Sequence, residues 1–287
     1  MKEGTIMVKL IIMDIDGTLT NSEKKLTPKT KEVLLKAEEH GARLVLASGR
    51  PTNGLVKLAE ELEMEKHHGL FVCFNGSKVI DWETKEVLFN QAMSVEEGKA
   101  VLEHLKKFNV RPMIDKDEYM YVNNVFDNYI TYKGKPFDVM QYESRNNGYL
   151  LCEKKDLAAF VDFPLNKILT YADPEYLQAH YKEIAAPFEG KLNCMFTSDF
   201  YFEFTAQGID KAKALDTVLK PMGYKKEEMM AFGDAQNDRS MIEYVGCGVA
   251  MGNASDELKA VADEITLSND EDGIAASLLK HMPELGE

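Results

Sequence analysis

The sequence lacks the cysteine patterns, long apolar runs and leader segment that would mark several classes of protein. None of its four cysteines forms a CxxC pair or a Cys/His spacing, which argues against a zinc site and against a disulfide framework. No apolar run approaches the ~20 residues that a transmembrane helix needs, and residues 1–7 lack the apolar core of a signal peptide. We therefore expect a cytoplasmic protein with buried free thiols and no membrane partner.

Positive charge is also scarce. The 34 lysines and arginines are outnumbered by 48 aspartates and glutamates, so the net charge is −14. Such a surface repels nucleic acid and anionic lipid, so neither is an expected partner. With 287 residues, 45% of them hydrophobic, the chain can form a large core in one or two domains. Nothing in the sequence indicates an oligomeric state.

Strands and helices alternate in the first third of the chain. Buried strands are predicted at 8–13, 42–48 and 70–74, and helices at 28–41 and 53–62. The same alternation returns in the last third. Because strands that are separated by helices pair in parallel and are covered on both faces, we predict an α/β fold with a Rossmann-like parallel sheet.

The middle of the chain follows another pattern. Two short strands around a turn at 83–85, a helix at 95–108 and aromatic-rich segments beyond it suggest an α+β region with an antiparallel sheet. We therefore expect two domains. Residues 1–84 and 193–287 form the parallel-sheet core, and residues 85–192 form a domain inserted into it.

Carboxylates follow two of the predicted core strands. Asp14 and Asp16 come directly after the first strand, and Asp234 and Asp238 come after the strand EEMMAF. Ligands of open α/β sheets bind at the carboxyl ends of the strands, so the four carboxylates are expected at one edge. Because they repel each other, they need a hard cation, and oxygen ligands with room for water and phosphate favour Mg²⁺. For the DxDGT stretch alone, ordinary turn chemistry is an alternative.

Three further features are candidates for binding an anion. Ser48 and Gly49 form a turn that suits phosphate oxygens, although a Ser-Gly pair also occurs in ordinary turns. Lys211 opens a helix, where it opposes the helix dipole and needs an anionic neighbour unless it is simply solvated. Asn75 and Gly76 follow the third core strand, either at the mouth of a site or as the tight turn that Asn-Gly favours.

Taken together and in this order, these stretches resemble the motifs of the haloacid dehalogenase-like phosphatase superfamily, and more closely its Cof-type branch of sugar and small-metabolite phosphatases. The matching segments are DIDGTLT at 14–20, SGR at 48–50, Lys211, GDAQND at 233–238, GVAMGNA at 248–254 and SNDEDGIA at 268–275. The likeness is strong in both halves of the core and weak through the insertion. It implies the haloacid dehalogenase fold, with the insertion as a C2-type cap that determines substrate specificity.

The resemblance also implies a role for each catalytic residue. Asp14 would be the nucleophile that forms an aspartyl-phosphate, which agrees with the need of phosphoryl transfer for a placed nucleophile. Asp16 would be the general acid that protonates the leaving alcohol and then the base that activates water. Lys211 would stabilise the charge that develops on the transferring group.

The metal and phosphate ligands follow from the same resemblance. Mg²⁺ would be held by Asp14, the backbone carbonyl of Asp16 and Asp234, with Asp238 as a ligand or as an acceptor for metal-bound water. The residues expected to contact phosphate or substrate are Ser48, Gly49, Lys211, Asn237, Asn75 and Gly76. The family often has Ser-Lys-Gly around its lysine, whereas here Asp210 precedes Lys211, where it could hold the lysine or lower its effective charge.

The expected function is a Mg²⁺-dependent hydrolase of small phosphoric monoesters. A phosphomutase or phosphotransferase on the same scaffold is an alternative, because it needs only that the phospho-aspartate survives water. A non-catalytic Mg²⁺- and phosphate-binding regulatory module is an alternative from another class. Receiver-like signalling modules also combine aspartates with a lysine, but they are far shorter and need no general acid beside the nucleophile.

Overall fold

The structure is a computed structural model that describes residues 8–286. The segment 1–7, in which we expected no signal peptide, lies outside the described residues. The chain divides into two compact units. Among the described residues, the first unit extends to Phe89 and resumes at Asp210, and the second unit is Asn90–Ile209.

The N-terminal part of the first unit alternates strands and helices, as predicted. Its elements are β1 (Leu10–Met13), α1 (Pro28–Glu39), β2 (Arg43–Ala47), α2 (Asn53–Glu61), β3 (Leu70–Cys73), β4 (Lys78–Asp81) and β5 (Val87–Asn90). All residues of β1 and β3 are buried, as expected for parallel strands covered on both faces. Helix α1 starts with Pro28 and is capped by the Thr27 hydroxyl, which accepts from the Thr30 N–H.

The second unit is an α+β domain with a mainly antiparallel sheet. Its elements are α3 (Val95–Leu105), β6 (Arg111–Lys116), β7 (Tyr119–Val122), β8 (Tyr129–Tyr132), β9 (Lys135–Asp138), α4 (Val139–Asn146), β10 (Leu150–Glu153), α5 (Leu157–Phe160), β11 (Ile168–Tyr171), α6 (Pro174–Ala185), β12 (Leu192–Ser198) and β13 (Tyr201–Ala206). Six of these strands form one sheet in the order β10-β7-β6-β11-β13-β12, and β8 pairs with β9.

The limits of the second unit differ from the expected 85–192. Strand β5 extends the sheet of the first unit beyond β4, so the insertion begins later than we expected. Strand β13 pairs antiparallel with β11, with Ile168 opposite Phe204, so the second unit continues to Ile209. Both differences arise from strand pairing, which the composition of a segment does not reveal.

The C-terminal part of the chain completes the first unit. Its elements are α7 (Lys211–Leu219), β14 (Met229–Gly233), α8 (Arg239–Tyr244), β15 (Cys247–Ala250), α9 (Asp256–Lys259), β16 (Glu264–Ile265) and α10 (Gly273–His281). The eight strands of this sheet have the order β16-β15-β14-β1-β2-β3-β4-β5. Strand β1 therefore lies between β2 and β14 and is parallel to both, so residues from the two ends of the chain become neighbours.

Apolar clusters form the interior of each unit. All four cysteines are free, but only Cys73 is buried, so the expectation of four buried thiols was wrong for the other three. No helix in the described part of the chain combines the length and the apolar character needed to cross a membrane.

Candidate active site

The candidate site begins where β1 and β14 end side by side. Met13 lies opposite Phe232 in the parallel pairing, and the next N–H, of Asp14, still donates to the Phe232 carbonyl at 3.1 Å. Asp14 and Asp234 thus leave the sheet from adjacent strands at the same edge, which is where α/β sheets bind ligands.

Three of the four predicted carboxylates meet at this edge. Asp14, Asp234 and Asp238 each offer an oxygen within 4.8 Å of the others. The approach of Asp234 depends on Gly17, because a Cβ there would lie 2.4 Å from the Asp234 Oδ2. Gly17 also has φ +85, a conformation that favours glycine. A larger residue at position 17 would therefore push the loop that follows Asp14 away from Asp234.

Lys211 lies among these carboxylates and is only 1% exposed. Its Nζ donates to the Asp238 Oδ1 at 2.6 Å, to the Ala47 carbonyl at 2.7 Å and to the Asp14 Oδ1 at 2.8 Å. The three N–H donors of the ammonium are thus all used, as a buried charge requires. The solvated alternative for Lys211 is excluded by this burial.

Burial and charge act against each other in this cluster. Burial raises the pKa of Asp14 to about 7, with the nearby carboxylate of Asp238 adding to the effect and the ammonium of Lys211 opposing it. Burial likewise raises the pKa of Asp234. For Lys211, burial acts to lower the pKa, but the carboxylates of Asp14 and Asp238 outweigh it and the pKa is raised. The lysine therefore stays charged, and a further positive charge nearby would stabilise the ionised form of the carboxylates.

Asp238 is fully buried and both of its oxygens are engaged. Oδ1 accepts from Lys211, and Oδ2 accepts from the backbone N–H groups of Asp234 and Ala235, each at 3.0 Å. Asp238 therefore fixes Lys211 and the turn that carries Asp234. Because both oxygens are engaged, the Asp238 carboxylate offers no free oxygen to a ligand of the site.

Two carboxylate oxygens at the site have no hydrogen-bond donor within the described chain. These are Oδ2 of Asp14 and Oδ2 of Asp234, whose other oxygens accept from Lys211 and from the Thr18 hydroxyl. Paired carboxylate oxygens at the end of a sheet are hard ligands of the kind that Mg²⁺ prefers. The donor set thus fits the expected cation.

The fourth carboxylate, that of Asp16, points to different partners. Arg50 donates to it from Nε at 2.7 Å and from Nη2 at 2.8 Å, and Lys24 Nζ donates at 2.6 Å. Burial acts to raise the Asp16 pKa, but these cations outweigh it and the pKa is lowered. The side chain of Asp16 is not among the three that could share a metal ion.

The predicted phosphate turn follows β2. Ser48 is buried, and its hydroxyl accepts from the Arg50 N–H at 3.2 Å. The residue before it, Ala47, supplies the carbonyl that binds Lys211. A Cβ on Gly49 would lie 3.1 Å from the Asn75 side chain, so the two turns are close neighbours.

Asn75 and Asn237 lie together although they are far apart in sequence. Nδ2 of Asn237 donates to Oδ1 of Asn75 at 3.2 Å. Gly76 has φ +97, and a Cβ there would lie 2.3 Å from the Asp210 carbonyl. Position 76 therefore requires glycine, because its backbone lies close to the backbone at the start of α7.

The departure at Asp210 has a structural explanation. Its side chain accepts from the Lys213 N–H at 2.9 Å and so caps α7. Lys211 is held instead by Asp14 and Asp238, so Asp210 does not compete for its charge.

Three residues that contact the site were not among the predicted catalytic, metal-binding or phosphate-binding residues. Thr18 binds Asp234, Arg50 binds Asp16, and Nδ2 of Asn253 donates to the Gly17 carbonyl at 2.8 Å. Each of the three lies inside one of the segments that resemble the family motifs. Its position in such a segment was therefore the only indication of a role that the sequence offered. The partner of each side chain was not predictable, because it depends on a fold contact.

Known proteins share both the sequence and the fold of this chain. A profile described as haloacid dehalogenase-like hydrolase matches residues 11–278. A Bacillus subtilis enzyme, 5-amino-6-(5-phospho-D-ribitylamino)uracil phosphatase, is 30% identical over 273 residues, which are 94% of each chain.

Two solved structures extend the comparison. A haloacid dehalogenase-like hydrolase from Bacteroides thetaiotaomicron is 37% identical, with a TM-score of 0.87 over 95% of this chain and 98% of its own. A sugar phosphatase of subclass IIB of the same superfamily is 26% identical, with a TM-score of 0.74 over 96% of this chain and 99% of its own. The likeness spans both units of the chain.

Proposed function

This chain belongs to the haloacid dehalogenase-like hydrolase family, and from that premise we propose that it is a Mg²⁺-dependent phosphatase that hydrolyses sugar phosphates or other small phosphoesters through an aspartyl-phosphate. The named activities of its relatives, on a ribitylamino-uracil phosphate and on sugar phosphates, support this class of substrate. The single observation that carries the proposal is the buried Lys211, bound between Asp14 and Asp238 beside Asp234.

Asp14 is the proposed nucleophile. Its Oδ1 is fixed by Lys211, which leaves Oδ2 as the oxygen that attacks phosphorus. Attack forms the bond from Oδ2 to phosphorus and breaks the bond from phosphorus to the ester oxygen. Water then attacks the same phosphorus, which releases inorganic phosphate and restores the Asp14 carboxylate.

Asp16 is the proposed acid and base for these two steps. It gives a proton to the ester oxygen as that oxygen leaves, and it takes a proton from the attacking water. Paired with Arg50 and Lys24, the carboxylate is held ionised, which is the form that accepts a proton. To donate a proton, Asp16 must leave these partners and be protonated, so that the proton it takes from water in one cycle goes to the leaving oxygen of the next.

The remaining residues are proposed to bind charge. Oδ2 of Asp234 and the Asp14 oxygen that does not attack phosphorus would hold Mg²⁺, with the Asp16 carbonyl as a further ligand. Asp238 would hold the turn that carries Asp234. The bound ion would offset the negative charge of the phosphoryl group. Lys211 adds a fixed positive charge on the same side. Phosphate oxygens would be bound by Ser48, Gly49 and Asn237, with Asn75 and Gly76 at the mouth of the site.

A panel of phosphate esters tests the proposal. Purified protein is assayed for phosphate release from sugar phosphates, nucleotides and p-nitrophenyl phosphate, with Mg²⁺ and with EDTA. We expect release that EDTA abolishes and added Mg²⁺ restores. Full activity in chelator would contradict the metal site, and conversion of a sugar phosphate into its isomer without phosphate release would instead identify a phosphomutase.

A further inference from the structure

The turn after β15 connects the two sides of the candidate site. Asn253, in the segment GVAMGNA, donates from Nδ2 to the Gly17 carbonyl at 2.8 Å. Its Oδ1 accepts from the Asn269 N–H at 3.0 Å. The side chain is exposed and is not part of an apolar cluster, so these two hydrogen bonds are its principal structural contribution.

The same turn is attached to Asp234. The Ser255 N–H donates to the Asp234 carbonyl at 3.0 Å. On the opposite side, the Thr18 hydroxyl donates to the Asp234 Oδ1 at 2.8 Å. The contacts form a closed ring, from Asp234 through the turn to Asn253, on to Gly17 and Thr18, and back to Asp234.

Asn269, in the segment SNDEDGIA, supports this ring. Its N–H orients the Asn253 amide, and its own Nδ2 donates to the Thr20 carbonyl at 2.9 Å. Two asparagine amides from the C-terminal part of the chain therefore hold two carbonyls of one loop. This loop begins at Asp14, where the pairing between β1 and β14 ends, so the sheet itself no longer fixes it.

We propose that Asn253, oriented by Asn269, is a positioning residue that sets the spacing between the Asp14 loop and Asp234, and thereby the affinity of the site for Mg²⁺. The inference rests on the proposed function, because it assigns the metal to Asp14 and Asp234. Groups that orient metal ligands typically change metal affinity by about 10–100-fold when they are removed. This inference assigns a role to the segments GVAMGNA and SNDEDGIA, neither of which takes part in the proposed mechanism.

Isothermal titration of Mg²⁺ into the substrate-free protein tests the proposal without relying on turnover. We expect Asn253→Ala to raise the Kd for Mg²⁺ by at least ~10-fold. Asn253→Asp keeps the acceptor for Asn269 but loses the donor to Gly17. Its added negative charge alone would tighten cation binding, so weaker binding in this variant can only come from the altered loop.

Asn146→Ala is the matched control. Asn146 is an exposed asparagine of the other unit, and its replacement should leave the Kd unchanged. Wild-type affinity in both Asn253 variants, or equal weakening in the Asn146 variant, would overturn the inference. If Asn253→Ala fails to fold, the Asp variant decides the question alone. If the wild-type protein binds no Mg²⁺, the proposed metal site fails and this inference fails with it.

Discussion

Arg50 donates two hydrogen bonds to Asp16, from Nε to Oδ2 at 2.7 Å and from Nη2 to Oδ1 at 2.8 Å. Arg50 follows the turn of Ser48 and Gly49, which is proposed to bind phosphate, and Asp16 lies in the loop that begins at Asp14. The contact therefore joins the first and second motifs directly. It also keeps the proposed acid and base away from the three carboxylates that meet around Lys211.

Replacing Arg50 is predicted to change how stability depends on pH. Arg50 and Lys24 hold the folded-state pKa of Asp16 below its ordinary value, so their contribution is present above the unfolded pKa and is lost as the pH falls through the folded pKa. We expect Arg50→Met to reduce the free energy of unfolding by about 1 kcal/mol at neutral pH, since the pair is partly exposed. Urea titrations at neutral and acidic pH measure this. If the free energy of unfolding of the variant is lower by the same amount at a pH where Asp16 is protonated, the ion pair is not the cause of the difference.

Lys211→Met is predicted to harm both folding and activity. It leaves Asp14 and Asp238 buried without their cation, and breaking a buried pair in this way costs about 3–5 kcal/mol. The loss of positive charge at the phosphoryl group should lower kcat by about 10²–10³-fold. Chemical denaturation and phosphate release measure the two effects. Lys220→Met, at an exposed lysine directly after the same helix, is the control and should change neither stability nor kcat.

Glu38 of α1 is predicted to destabilise the protein at alkaline pH. It is 3% exposed, and neither carboxylate oxygen has a hydrogen-bond partner among the described residues. Burial, with Glu63 and Glu65 nearby, raises its pKa to about 8. A raised folded-state pKa means that its stabilising contribution is complete below the unfolded pKa and is lost as the pH rises through about 8.

Glu38→Gln tests this prediction because glutamine cannot ionise. We expect the variant to have a higher Tm than the wild type at about pH 9 and an equal or lower Tm at about pH 5. Glu39→Gln, at the exposed neighbouring position, should shift the Tm little at either pH. If the Tm of the wild type does not decrease relative to that of the Glu38 variant when the pH is raised from about 5 to about 9, the raised pKa of Glu38 is contradicted.

Asp16→Ala is predicted to separate the two chemical steps. Without its acid, the enzyme should lose most activity on alkyl phosphates, whose leaving groups need a proton, and less on p-nitrophenyl phosphate, whose leaving group does not. Dephosphorylation of Asp14 after transfer from acetyl phosphate should also become slower. Equal losses on both kinds of ester, with unchanged dephosphorylation, would argue against the proposed role of Asp16.

The strand ends around Asp14 and Asp234 were predictable because parallel strands share a carboxyl edge. An apolar run followed by Gly, Asp or Ser identifies such an end locally. The burial of Lys211 was not predictable in the same way, since a lysine in the first turn of a helix is usually solvated. Its three acceptors belong to the residue after β1, the last residue of β2 and the turn after β14, and only the assembled sheet brings them together.

The limits of the insertion were harder to predict for a related reason. Strands β12 and β13 are rich in apolar residues and could have belonged to either sheet. Their assignment depends on the pairing of β13 with β11, a contact between distant segments, and on the pairing of β12 with β13. The direction of the Asp16 side chain was likewise unpredictable, because the alternation of a strand ends where the Gly17 turn begins.

Detection of a covalent phosphate on Asp14 tests the central claim most directly. The Asp16→Ala protein is incubated with Mg²⁺ and radiolabelled acetyl phosphate, quenched in acid and digested, and the labelled peptide is identified by mass spectrometry. We predict one labelled peptide, which contains Asp14, and no label in Asp14→Asn carrying the same Asp16 change. Phosphate release by the wild-type enzyme with no protein-bound label, or label on a peptide without Asp14, would contradict the account.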